Sequence, residues 1–156
     1  MYSYQVVRAR LALAIIIVSS PALALPQTEV VKNLSLTILP ERLAICRLPL
    51  DAAIPECPPQ ARFWSVTRTT EELSIVLPEE SVSPGWQAET GWRGLKVQGP
   101  LDFDLTGILA SLVEPLAGAG VSIFAISTYD TDYILVREKD LEKAKRVLMA
   151  SGHTFP

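Results

Sequence analysis

Four aspartates fall in two Asp-x-Asp pairs in the second half of the chain, Asp102-Phe103-Asp104 and Asp130-Thr131-Asp132. The second pair closes a polar run that begins at Ser127 and Thr128, between two apolar, strand-like stretches. Carboxylates so placed suit two chemistries. They could hold a hard cation, or they could pair with the ammonium group of a small ligand. The first pair precedes a stretch with helical spacing, and backbone amides at a helix start attract carboxylates and other anions. A place that offers both an acidic side chain and free amides suits the two charges of an α-amino acid. The same residues have a plain reading beside this one: Asp102 or Asp104 caps the helix, and Asp130 shapes a turn.

Other chemistries fit less well. Phe103 and Thr131 do not belong to a calcium-loop pattern, and no glycine-pivoted loop of the calcium-binding kind occurs, so no metal site is expected. Nucleophilic catalysis needs a Ser or Cys beside a base. The single histidine, His153, lies near the C-terminus and reads as a helix-end residue, and no Gly-x-Ser-x-Gly is present. The glycines of Gly118-Ala119-Gly120 follow a helix instead of opening one, so they do not form a phosphate loop. Cys46 and Cys57 are too few for a disulfide framework or a four-cysteine zinc site; two ordinary thiols are expected, with one bridge as the alternative. Trp64, Trp86 and Trp92 read as packing anchors. No catalytic constellation remains, so neither an enzyme nor a cofactor is expected.

The elements that must position these residues follow from periodicity. "LSLTIL" (34–39) and "LAICRL" (43–48) read as two strands separated at Pro40-Glu41-Arg42. Residues 49–60 hold four prolines and read as a loop. "RFWSVTRT" (62–69) and "ELSIVLP" (72–78) are further strands joined tightly at Thr69-Thr70-Glu71, and 79–86 is a loop. A strand runs from near Trp92 to Gly99-Pro100. The period then changes. Leu105, Ile108, Leu109, Leu112, Val113 and Leu116 share one helix face, with Thr106 near the first turn and Pro115 expected to loosen the helix. Residues 121–127 and 132–138 are strands, and 138–152 is a second helix with Leu141, Ala144, Val147 and Leu148 inward. The last sixty or so residues thus run β-α-β-β-α, the order of a ferredoxin-like α+β unit with helices on one face, and 154–156 suits a short closing strand. The earlier part supplies strands without helices. It is expected to pair with the second unit as a degenerate copy.

Length and composition agree with a folded protein. The chain has 156 residues, 49% apolar and 20% charged, enough for one ordinary domain or two very small ones. The net charge of −3 and the lack of a basic stripe exclude nucleic acid as an expected partner. Residues 1–28 differ from the rest. Arg8 and Arg10 precede the apolar run Leu11–Leu25, with a small-x-small site at Ala22-Leu23-Ala24. These are the parts of a secretory signal peptide, and the run is too short for a comfortable membrane span. Asn33-Leu34-Ser35 would then be a glycan acceptor. An apolar extension is the alternative.

Several motifs occur together in order: "PERLA", "SVTRT", "ELSIV", "GWR", "LTGILA" and "STYDTDYILV". Over residues 33–153 the chain resembles the small ACT-domain proteins related to the CASTOR arginine sensors. The resemblance implies β-α-β-β-α-β ACT folds in tandem, a degenerate unit over 29–92 and an ACT domain over 93–156. It implies a non-enzymatic regulatory protein that binds an amino acid at an interface between modules. Carried onto this chain, it points to Asp102, Phe103, Asp104, Leu105, Thr106, Gly107 and Ile108 on one side of the ligand, and to Ser127, Thr128 and Asp132 on the other. The arginine sensor has an acidic residue where this chain has Leu105, which puts arginine in doubt as the ligand and makes a neutral or apolar amino acid at least an equal candidate. The arginine sensors carry a second tandem unit, so a homodimer is expected to complete the site here. The family is mostly intracellular, which implies a cytoplasmic location; secretion is the alternative if residues 1–24 are cleaved. An ACT-fold protein-interaction module that has lost ligand binding is the rival reading of function.

Overall fold

Apolar residues from Leu36 onward build one long central strand, β1 (Leu36–Leu48), where the sequence predicts two. The computed structural model describes residues 33–156, so the signal-like segment expected over 1–28 lies outside the described residues. Pro40 does not turn the chain. The ladder to the neighbouring strand β4 (Gln87–Val97) is broken at that point: Ile38 pairs with Leu95, and pairing resumes at Arg42 with Arg93. A bulge asks no hydrogen from a proline nitrogen. Gly94 makes room beside it, since a Cβ there would lie 2.6 Å from Leu39 Cδ1. Beyond the bulge, Arg42 forms an ion pair with Glu138 at 2.9 Å.

The other elements follow the predicted order with shifted ends. β2 (Ser65–Arg68) begins later than expected, because the Arg62 and Phe63 amides both donate to Glu41 Oε1 instead of joining a ladder. Thr69 Oγ1 accepts from the amides of Glu71 and Glu72 and turns the chain into β3 (Leu73–Pro78). β4 starts at Gln87, not near Trp92, because the far end of β1 extends its ladder. It runs unbroken across residues 92 and 93. Then come α1 (Ile108–Gly118), β5 (Ile123–Ser127), β6 (Asp132–Arg137) and α2 (Leu141–Ala150). The closing strand expected at 154–156 is a single bridge between Thr154 and Ser35.

The strands form one antiparallel sheet in the order β2-β3-β1-β4-β6-β5. Both helices lie on one face. Ile108, Leu112 and Leu116 of α1 and Leu141, Ala144 and Leu148 of α2 repeat at helical spacing and pack on Leu36, Leu95 and Ile134 of the sheet. Truncating any of the fully buried leucines here would cost roughly 2–5 kcal/mol. The opposite face gathers Leu43, Val76, Trp92 and Leu135 around Phe63, with Phe124 and Ile126 of β5 against them. Residues from β3 and β5 share this cluster, so the sheet curls strongly. Its edge strands β2 and β5 face each other across a cleft of about 260 Å³. Among the described residues the first half, up to β3, has no α-helix. Trp64, Val82 and Trp86 pack against its outer cluster of Cys46, Leu73 and Ile75. Both thiols are free, Cys46 buried and Cys57 exposed. Among the described residues no helix is long and apolar enough to cross a membrane.

Candidate functional site

The β5–β6 connection is shaped by its own polar groups. Ser127 and Asp132 are register partners at the strand ends, and Ser127 Oγ donates to Asp132 Oδ1 at 2.5 Å. Between them the Thr128 amide donates to the Thr131 carbonyl at 2.8 Å, and Thr128 Oγ1 donates to the same oxygen at 2.9 Å. Thr131 Oγ1 is buried and donates to the Val97 carbonyl at 2.6 Å, tying the loop to the end of β4. These bonds account for much of the polar run. A two-residue turn would offer no such anchorage.

The strand-to-helix connection is pinned to this loop from the other side. The Leu101 amide donates to the Asp130 carbonyl at 2.8 Å. Gly99 permits the approach, because a Cβ there would come 2.7 Å from that same oxygen. Asp102 then bends the chain: its Oδ1 accepts from the Asp104 amide and its carbonyl from the Leu105 amide, each at 3.1 Å. Gly107 takes a left-handed conformation (φ 82°) immediately before α1. The helix therefore begins at Ile108, later than the Leu105 start that periodicity suggests. No side chain caps it, Thr106 and the aspartates included.

The two connections enclose a cavity of about 300 Å³. Of the residues singled out from sequence, Asp102, Phe103, Leu105, Gly107 and Ile108 line it on one side, and Ser127, Thr128 and Asp132 on the other. Asp104 and Thr106 do not line it and lie exposed to solvent. Sequence reasoning missed Leu101, Leu109, Tyr129, Asp130 and Thr131, which also contribute. Leu101, Ile108 and Leu109 give the cavity an apolar part, while Asp102, Asp130 and Asp132 are its charged groups; among the described residues no Lys, Arg or His lines it. Phe103 and Tyr129 meet edge to face at its mouth, ring centroids 5.0 Å apart, and are 72% and 81% exposed. Among the described residues no three His, Cys, Asp or Glu side chains converge as metal ligands.

A family model of the ACT domain matches residues 87–150, and a second model, of an N-terminal domain, matches residues 41–85. The bovine (Bos taurus) cytosolic arginine sensor for mTORC1 subunit 1 is 37% identical over 93 residues, covering 53% of this chain and 28% of the sensor. The human (Homo sapiens) putative protein CASTOR3P is 35% identical over 95 residues, 53% of this chain and 58% of that one. The match thus spans under a third of the bovine sensor and a little over half of the human protein. Among solved structures, a protein from Agrobacterium tumefaciens is 40% identical with a TM-score of 0.75, covering 81% of this chain and 94% of its own. The alpha and beta subunits of aspartokinase, 15% identical with a TM-score of 0.53, cover 75% of this chain and 96% of theirs, a likeness of fold alone.

Proposed function

We propose, from the premise that the chain belongs to the ACT-domain proteins related to the CASTOR arginine sensors, that it is a non-enzymatic sensor which binds a free amino acid in the cavity between residues 101–109 and 127–132. The observation that carries this reading is the lining of that cavity. Acidic side chains stand on two sides of it, a helix start opens into it, and an apolar patch lies between. The ammonium of the ligand would meet Asp132, which already holds the Ser127 hydroxyl. Its carboxylate would meet the first amides of α1, where the helix dipole favours an anion. Its side chain would lie on Leu101, Leu105 and Ile108. A neutral, apolar amino acid fits that surface better than arginine, because Leu105 offers nothing to a guanidinium.

Phe103, Leu105 and Tyr129 leave a wide apolar rim around the cavity. We assign this rim to a second copy of the chain, which would close the site and place the ligand at an interface. The ligand would then act by binding one arrangement of modules more tightly than another, and a protein partner would read that arrangement. The residues before β4 would be a degenerate ACT-like unit. The location that accords with this role is cytoplasmic.

The rival reading is an ACT-fold interaction module without a ligand, and the same exposed rim favours it. Titration calorimetry of the full chain against each of the twenty amino acids separates the two. A saturable heat from one or a few of them, lost in Asp132→Ala, is expected of a sensor. Silence across all twenty from a folded chain overturns the sensor and leaves the interaction module.

A further inference from the structure

A second cavity, of about 500 Å³, lies on the other side of the Asp130-Thr131 wall. It forms where β4 leaves the sheet, between Thr37, Lys96 and the Gly99-Pro100 turn. Leu95 and Val97 point toward the helices, so alternation sends Lys96 to the opposite face. There its register partners are Thr37 on β1 and Tyr133 on β6. The Lys96 ammonium sits 6.0 Å from the centre of the Tyr133 ring, which holds it over this face. Among the described residues, the ion pairs all use arginine, and no carboxylate pairs with Lys96.

A half-buried lysine that makes no ion pair among the described residues, beside a roomy polar hollow, is a place for an anion. Asp130 lines the same hollow and can accept a hydrogen bond from a neighbouring donor on that anion. We propose that this cavity is a second small-molecule site, taking an α-hydroxy or α-amino carboxylate whose carboxylate meets Lys96 and whose hydroxyl or ammonium meets Asp130. The site is independent of the amino-acid reading of the first cavity. The shared wall gives the two a route of coupling, since Asp130 and Thr131 line both.

The test is amide-resolved NMR titration of the full chain with L-lactate and with L-serine. Saturating shifts at Thr37, Lys96 and Gln98 are expected from at least one of the two. Lys96→Met, which keeps the apolar stem, should weaken that response by on the order of tenfold. Lys96→Arg should retain it. Shifts confined to residues 127–132 would overturn this site while supporting the first one. Silence at Thr37, Lys96 and Gln98 with both probes, or a response there that survives Lys96→Met at full strength, would also overturn it.

Discussion

His153 Nε2 lies 3.2 Å from the carbonyl oxygen of Ser111, four residues before Pro115. In an unbroken helix that carbonyl would accept from the amide of residue 115, but proline has none. The imidazole supplies the missing donor. That bond needs a proton on Nε2, while among the described residues Nδ1 is buried without a partner. The only histidine of the chain thus mends the helix kept open by its own proline.

His153→Ala should therefore destabilise the chain by about 1–3 kcal/mol, the cost of leaving a buried carbonyl unsatisfied. In a Pro115→Ala background, where residue 115 regains its amide, the same substitution should cost less. Urea unfolding of the four chains of this cycle measures the difference. Strictly additive effects would show that the imidazole and the proline are unconnected.

Gly99→Ala should damage the first cavity although Gly99 itself does not line it. The added Cβ would sit 2.7 Å from the Asp130 carbonyl oxygen and 3.2 Å from Thr131 Cβ, so the two loops must separate. A loss of roughly 1–3 kcal/mol in stability is expected from such overpacking. Amide shifts should concentrate at residues 99–101 and 128–132. Native-like shifts there would mean that the loops yield without cost.

Leu105→Glu should move ligand preference toward arginine. Leu105 lines the cavity, is 51% exposed, and lies outside α1, so a carboxylate there needs no burial. Pairing with a guanidinium should raise arginine affinity by on the order of tenfold relative to leucine. Calorimetry of both chains against both amino acids decides it. An unchanged ratio would place the ligand side chain elsewhere.

The two thiols should separate cleanly in a thiol-reagent titration of the native chain. Cys57 is exposed, whereas burial of Cys46 raises its pKa above the ordinary 9.0. One thiol should react quickly and the other only on unfolding. The sign for stability follows from the raised value. The folded state holds the Cys46 proton more tightly, so this contribution is full below about pH 9 and is lost as the pH rises through the raised folded value.

Much of this architecture is legible in the order of residues, for identifiable reasons. Leu112, Leu116, Leu141 and Leu148 repeat at helical spacing because both helices bury a single stripe. Pro40 misleads because a proline usually ends a strand. The bulge that accommodates it depends on Gly94 and Arg93, more than fifty residues away. The cavity is legible as two polar-interrupted segments, 99–108 and 127–132. The direction of each side chain is not. Asp102 bonding to the Asp104 amide and Gly107 turning left-handed send Asp104 and Thr106 outward and leave Leu101 and Leu109 inside, and neither event has a local sequence signature strong enough to foresee.

β1 packs into both halves of the molecule: Leu36, fully buried, sits among the helices, while Ile45 and Cys46 pair with β3. The 87–150 segment cut out alone would bare the inner edge of β4 and lose Leu36 from beneath α1 and α2. The halves should therefore melt together, as one cooperative transition with no stable fragment. Any attempt to graft this segment into another protein would have to carry β1 with it, or supply a strand in its place.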